Sequence, residues 1–98
     1  MSLGTAHVSR ALDVARDWKP PRDLPSERRS SFSIELARAQ VWAGLMDDAF
    51  ESLKAARRVA PQHTREHPWA REDTATLRRL KRADAEELTA FAAWIGAV

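Results

Sequence analysis

The spacing of apolar residues ahead of two prolines constrains the fold of this chain more than any other feature. Offsets of four and seven positions place three residues on one face of an α-helix. A proline twelve positions after the first residue then ends that helix, because proline lacks a backbone N–H and clashes with the preceding turn. The pattern occurs twice, at Val8, Leu12, Ala15 and Pro20 and at Ala49, Leu53, Ala56 and Pro61. Two helices of similar design are therefore predicted.

Proline and glycine divide the chain into helical segments, and no segment has the strict alternation of a strand. The breaks fall at 19–25, 43–48 and 60–68. Between them we expect about five helices, at 5–18, 26–43, 48–60, 68–83 and 84–95. Gly44 ends the second helix in a tight turn, so the third helix runs back along it. The predicted fold class is all-α, with about five helices in antiparallel helical hairpins.

Composition limits the functional classes. The 98 residues suffice for a single domain, 1–98, because domains usually hold about 100 to 150 residues. The lack of cysteine excludes disulfides, thiolate catalysis and cysteine-based zinc sites. No apolar run approaches the roughly 20 residues of a membrane span, and no signal-peptide core follows Met1. We therefore expect a cytoplasmic protein with no membrane partner.

The stretch from Ser30 to His63 resembles a tetratricopeptide repeat. That family uses small residues, an alanine and a closing proline to pack two helices closely, and the matching positions here are Ala49, Leu53, Ala56 and Pro61. Ser33 and Gln40 replace aromatic residues that are usual in the first helix. The resemblance implies a fragment of a right-handed superhelix. In it, 5–18 is the second helix of a partial repeat, 26–61 a helical hairpin repeat and 68–95 a terminal helical pair.

A second resemblance covers most of the chain. The stretches at 24–30, 35–44, 48–61, 65–68 and 71–72 resemble the C-terminal region of actinobacterial helix-turn-helix transcriptional regulators of the Xre type. In those proteins an N-terminal DNA-binding domain precedes helical repeats thought to sense or bind a partner. The resemblance implies a non-catalytic interaction or effector-sensing domain of a regulator. We expect DNA to be bound only through an N-terminal DNA-binding domain, which is missing from residues 1–98.

The resemblance to tetratricopeptide repeats also implies a concave groove for a protein or peptide partner. The family's groove positions fall on Ser31, Ile34, Arg38, Val41 and Trp42. An arginine among apolar neighbours suits a peptide with an acidic or C-terminal group. The four tryptophans, Trp18, Trp42, Trp69 and Trp94, either fill hairpin interfaces or supply such a surface. An incomplete repeat also leaves an apolar helix side without a partner, which makes homodimerisation an alternative.

Direct nucleic-acid binding is the alternative from another class. The candidate face consists of Arg57, Arg58, Arg78, Arg79 and Arg82. Phosphate neutralisation by such a face makes binding steeply salt-dependent. Acidic residues such as Glu66 and Glu72 are interleaved with the basic ones, however, which is typical of a solvated helix face. The net charge of +2 gives only a weak general field.

No pattern indicates catalysis or a cofactor. His63 and His67 lie four positions apart, but Pro68 follows directly and no third metal ligand is evident, so a capping or loop role is favoured over a metal site. The serines lack a nucleophile-elbow motif, and three glycines provide no phosphate-binding loop. The carboxylates at 47–48, 84 and 86–87 stand at predicted helix starts, where the helix dipole stabilises anions. We therefore expect no enzymatic activity, metal or cofactor.

Overall fold

A computed structural model describes the backbone at residues 2–80 and 85–97, and the side chains at 10–80 and 86–97. Six α-helices lie within this range: α1 (Ser2–Asp17), α2 (Ser26–Trp42), α3 (Met46–Val59), α4 (Pro61–Glu66), α5 (Pro68–Leu80) and α6 (Ala85–Ile95). The predicted all-α class, built from antiparallel helical hairpins, is confirmed. None of the described helices is long and apolar enough to cross a membrane.

The largest differences between the observed and the predicted helix boundaries are at two places, and α3 begins two residues earlier than expected, at Met46. α1 begins at Ser2, three residues before the predicted start at Thr5. The segment at 61–66, expected as a break, forms the short helix α4 with Pro61 in its first turn. His67 then adopts an extended backbone, with φ −77° and ψ 123°, because the residue before a proline is driven out of the helical region. The predicted start at Asp84 lies outside the described residues.

The hairpin of α2 and α3 is set by the backbone at Gly44. Its φ of +80° is a left-handed conformation that glycine adopts without strain. The Gly44 N–H donates to the Val41 carbonyl at 3.1 Å, and the Leu45 N–H donates to the Gln40 carbonyl at 2.8 Å. These two bonds satisfy carbonyls that the helix end leaves free. The chain therefore reverses within three residues, and α3 packs along α2.

Small residues bring α2 and α3 close together. Ala37, Ala49 and Ala56 are fully buried, and so are the larger Ile34 and Leu53. Burial of a side chain as large as Leu53 contributes about 1.5 to 3 kcal/mol. The core continues into the second pair of helices, where it contains Ala70, Leu77, Leu88, Phe91 and Ile95. Phe50 of α3 meets Phe91 of α6 edge to face, with ring centroids 5.6 Å apart, which ties the two hairpins together.

The two polar replacements in the first helix of the hairpin have different environments. Gln40 is fully buried, and its Oε1 accepts a hydrogen bond from the Ser52 hydroxyl at 2.7 Å. Ser33 is half-buried and lines a cleft on the side of the hairpin that faces α1. α2 lies at the centre of the fold, because it contacts α3, α4, α5 and α1. Its other exposed side, beside α5, carries the predicted groove.

Candidate functional site

The five predicted groove residues do not share one environment. Ile34 is fully buried, so its assignment to an open groove is wrong. It lies on the same stripe as the buried Ser30 and Ala37, at four-residue and three-residue spacings, and that stripe packs into the core. Ser31, Arg38 and Val41 are half-buried. Trp42, by contrast, has 79% of its surface exposed.

Arg38 is the centre of an ion-pair cluster between α2 and α5. Its Nε donates to Asp73 Oδ2 at 3.3 Å, and its Nη2 lies 3.2 Å from Asp73 Oδ1, so the carboxylate is held by two parallel contacts. The same Nη2 lies 3.1 Å from Glu72 Oε1. Two parallel bonds fix the orientation of a guanidinium as well as its position. Arg38 is therefore already bound to two carboxylates of its own chain.

Burial separates the two carboxylates of this cluster. The Asp73 side chain is only 5% exposed, whereas that of Glu72 is 66% exposed. Burial raises the pKa of the Asp73 carboxyl, and the charge and hydrogen bonds of Arg38 offset part of that rise. Asp73 thus depends on Arg38 to remain ionised in the interior, while Glu72 is also stabilised by water.

The side chain of Trp69 completes the cluster. The Arg38 guanidinium carbon lies 4.8 Å from the centroid of the Trp69 ring, a distance typical of a cation–π contact. Trp69 is 41% exposed, and Trp42 follows Arg38 by one helical turn. The surface formed by Ser31, Arg38, Trp42, Trp69 and Glu72 is called the α2–α5 face below. It combines two exposed indoles with a fixed charge pair.

The two histidines stand at one end of this face. The Ser31 hydroxyl and His63 Nε2 form a hydrogen bond of 2.9 Å. His67 Nδ1 accepts a hydrogen bond from the Trp69 backbone N–H at 3.1 Å, as an N-cap side chain does at a helix start. Burial lowers the pKa of His67, with smaller contributions from His63 and Arg38, and Glu35 acts in the opposite direction. His67 is therefore neutral near pH 7 and is held as a cap.

The described residues contain no group of three His, Cys, Asp or Glu side chains arranged to hold a metal. The rings of His63 and His67 lie 5.7 Å apart at an angle of 78°. His63 bonds Ser31 through Nε2 and His67 uses Nδ1 for the helix cap. Each histidine thus has a structural partner. The role of His67 agrees with the capping interpretation.

The arginines of the alternative nucleic-acid face do not all lie together. Arg57 covers rings of α6, with its guanidinium carbon 4.7 Å from the Phe91 centroid and 5.3 Å from that of Trp94. Arg58 lies on the other side of α3, where it lines the cleft beside α1. Successive residues on a helix point about 100° apart, which explains the divergence. Arg78 and Arg79 are exposed near the end of α5, and Arg82 lies outside the described residues.

Sequence reasoning placed Arg38 and Trp42 on this face but missed Trp69, Glu72 and Asp73. One signal for Asp73 was present. Ala70, Thr74 and Leu77 are buried residues of α5 at helical spacing, and Asp73 falls on the same stripe. A carboxylate on an apolar stripe requires a partner, because an unpaired buried charge is costly. The sequence could thus indicate that Asp73 is paired, but not that Arg38 is the partner.

Comparison with protein-family models, with curated proteins and with solved structures found no match to this chain. The chemistry of its own surfaces is therefore the basis for a functional proposal.

Proposed function

We propose that this chain is a non-catalytic protein-interaction domain whose binding surface is the α2–α5 face. The observation that carries the proposal is the exposure of Trp42, 79% of whose surface is accessible one turn from the fixed side chain of Arg38. Large aromatic side chains contribute most of the binding energy at many protein interfaces. An exposed indole on a rigid helix loses little conformational freedom when a partner covers it.

The charges around Arg38 favour a partner segment with a basic residue beside an apolar anchor. Arg38 is paired with Glu72 and Asp73, and Glu35 is near enough to influence the pKa of His67. Glu35 also precedes Arg38 by three residues on α2, so three carboxylates lie in the neighbourhood of Arg38. An acidic peptide end would have to displace Glu72 and approach the other carboxylates, whereas a lysine or arginine gains from Glu72 and from the exposed indole of Trp42.

The wider role follows from the resemblance to Xre-type regulators. In this proposal the domain is the effector portion of a transcriptional regulator, and binding of a partner favours one arrangement of the helical hairpins. That arrangement then changes how readily a DNA-binding domain elsewhere binds DNA. The partner can shift the equilibrium between two arrangements only by the difference in its affinity for them. A helix-turn-helix pattern encoded directly upstream of residue 1 would support this role. An unrelated upstream gene product would leave only the interaction function.

The test of the binding surface uses two peptides that share one apolar anchor and differ in a flanking lysine or glutamate. Fluorescence anisotropy measures the affinity of each for the full chain. We expect the lysine peptide to bind more tightly, and Trp42→Ala to weaken its binding by about tenfold or more. Trp18→Ala is the matched control, because Trp18 is also exposed, at 51%, but it packs against Phe32, away from the α2–α5 face.

Two results would count against this surface. Equal affinity for the two peptides would contradict the preference for a basic residue. An equal effect of the Trp42 and Trp18 variants would contradict the placement of the binding surface on the α2–α5 face. Light scattering distinguishes the homodimer alternative. A dimer that dissociates on Trp42→Ala would make a second copy of the chain the partner of this face, in place of a foreign peptide.

A further inference from the structure

A cleft on the opposite side of the hairpin has a chemistry unlike that of the α2–α5 face. It lies between the end of α1, the proline-containing linker that follows and the outer side of α2 and α3, and its volume is about 420 Å³. Small-molecule sites usually have volumes of about 300 to 1,000 Å³. The cleft is therefore large enough for a compact organic ligand.

The cleft concentrates positive charge. Five cationic side chains line it, Arg16, Lys19, Arg22, Arg29 and Arg58, together with two carboxylates, Asp48 and Glu51. Three net positive charges thus face one cleft, more than the +2 of the entire chain. A cleft lined by one sign of charge focuses the field and raises the local concentration of oppositely charged ligands.

The carboxylates of the cleft are already occupied. Asp48 Oδ2 lies 3.5 Å from Arg16 Nη1, and Glu51 Oε2 lies 2.8 Å from Lys54 Nζ. Within the part of the chain that the structure describes, the other four cations of the cleft form no ion pair. Their charge is therefore available to an anionic ligand that enters the cleft.

Arg29 is the most informative of these cations. Its Nε is buried, and no described protein group accepts a hydrogen bond from it. A buried donor without an acceptor destabilises the folded state, because the donor has lost water without gaining a bond. Arg29 also lines the cleft, and a guanidinium binds a tetrahedral phosphate through two N–H groups at once.

Apolar surface accompanies the charge. Trp18 meets Phe32 edge to face at 5.0 Å, and both rings line the cleft. Trp18 is 51% exposed, so about half of its surface remains open to a ligand. Small side chains, those of Ser33, Ser52 and Ala55, leave space beside the two rings. The cleft therefore offers an aromatic contact next to the cations.

We propose that this cleft binds a small phosphate ester that carries an aromatic ring, the chemical class of a mononucleotide. The ester's phosphate lies against Arg29 and Arg58, and its ring stacks on Trp18. This site is independent of the α2–α5 face, because the two surfaces share no side chain.

The test titrates the full chain with adenosine 5′-monophosphate and follows the four tryptophan indole N–H signals by NMR, assigned with single Trp→Phe variants. We expect saturable shifts of the Trp18 signal and none at Trp42. Adenosine and inorganic phosphate are the matched probes, and we expect each to bind at least about tenfold more weakly, which corresponds to about 1.4 kcal/mol. A phosphate that binds as tightly as the nucleotide would overturn the aromatic part of the proposal.

Arg29→Gln removes the buried donor, and we expect it to weaken nucleotide binding by about tenfold or more. Arg58→Gln tests an exposed cation of the same cleft, in case the first variant alters the fold. Arg79→Gln, an exposed arginine on α5, is the control and should change affinity by less than about twofold. An equal loss with Arg79→Gln would show non-specific attraction and overturn the site.

A binding measurement with an oligonucleotide distinguishes a site for a small ligand from a surface for nucleic acid. We expect a single-stranded oligonucleotide to bind no more tightly per site than the mononucleotide. Tighter binding that falls steeply with salt would overturn the proposal in favour of a nucleic-acid surface. Absence of any saturable shift at millimolar nucleotide would overturn it outright.

Discussion

On the α2–α5 face, Arg38 is bound to two carboxylates and covered by Trp69, whereas in the cleft beside α1 the Nε of Arg29 is buried without an acceptor. Both arginines are half-buried residues of α2, separated by nine positions. Both side chains carry one positive charge, but that of Arg38 is paired with carboxylates and that of Arg29 is not. What differs is the neighbouring helix, since α5 supplies carboxylates and α1 with its linker supplies more cations.

This difference shows that the pairing of a charge, more than its presence, indicates what a surface can bind. A paired arginine positions the groups around it and offers few free donors. An unpaired arginine in a confined basic cleft retains its donors for a ligand. The first surface therefore suits recognition through its tryptophans, and the second suits recognition of an anion.

The largest effect that tests this comparison is expected from Arg38→Met. Methionine keeps the length of the apolar stem but removes the guanidinium, which leaves Asp73 buried without its cation. We expect the free energy of unfolding to fall by about 3 kcal/mol, at the lower end of the range for breaking a buried pair because Arg38 is 18% exposed. Urea denaturation at neutral pH measures this loss. The loss should shrink in acid, where Asp73 is protonated, and an undiminished loss would contradict the ion-pair explanation.

The same substitution in the cleft, Arg29→Met, is expected to act in the opposite direction. It removes a buried donor that lacks an acceptor and lowers the repulsion among the cations of the cleft. We expect the free energy of unfolding to rise by up to about 1 kcal/mol. The same urea measurement, at low salt and without phosphate in the buffer, provides the comparison. A loss as large as that of Arg38→Met would mean that the two arginines are equivalent.

Local features of the fold could be predicted from the sequence, because they depend on neighbours along the chain. Gly44 marks the hairpin turn through a backbone conformation that other residues rarely adopt, and Pro68 marks the start of α5. α4 was missed because its six residues are too few and too polar to show an apolar period. One residue can specify a turn, whereas the apolar period of a helix becomes visible only over several residues.

The site was less predictable, because it depends on residues that are distant in sequence. Arg38 and Asp73 are 35 positions apart, and no spacing rule connects them. The resemblance to a repeat assigns Ile34 to the groove, but the position of the helices around α2 determines which of its stripes is buried. The sequence could therefore indicate which side chains carry charge, whereas the packing of α5 and α1 determines which of these charges are paired.

A smaller effect concerns the pH dependence of the α2–α5 face. The folded-state pKa of His67 is lowered below its usual value of 6.5 by burial and by the nearby His63 and Arg38, against the attraction of Glu35. A lowered pKa means that the unfolded chain binds the proton more readily, so stability from this group is present above pH 6.5 and is lost as the pH falls below it. We expect a loss of less than about 1 kcal/mol between pH 7 and pH 5, because His67 is partly exposed.

His67→Asn tests this dependence, since asparagine can cap α5 but does not titrate. Urea midpoints measured across this pH range should change less in the variant than in the wild type. His63→Asn is the comparison variant, because it removes a smaller contribution to the lowered pKa of His67 and leaves the buried cap in place, so we expect it to remove only part of the pH dependence. If the His63 variant removes as much of the pH dependence as the His67 variant, the effect does not come from the buried cap.

The smallest effect is expected from Glu72→Gln, which removes the outer carboxylate of the Arg38 cluster. The Glu72 side chain is 66% exposed, so water replaces much of its interaction with Arg38. We expect stability to fall by about 0.3 kcal/mol at low salt and by less at high salt, where exposed charges are screened. Urea denaturation at both salt concentrations measures it, with Asp73→Asn as the buried counterpart. A loss for Glu72→Gln equal to that for Asp73→Asn would show that Glu72, despite its exposure, is as necessary to Arg38 as the buried carboxylate.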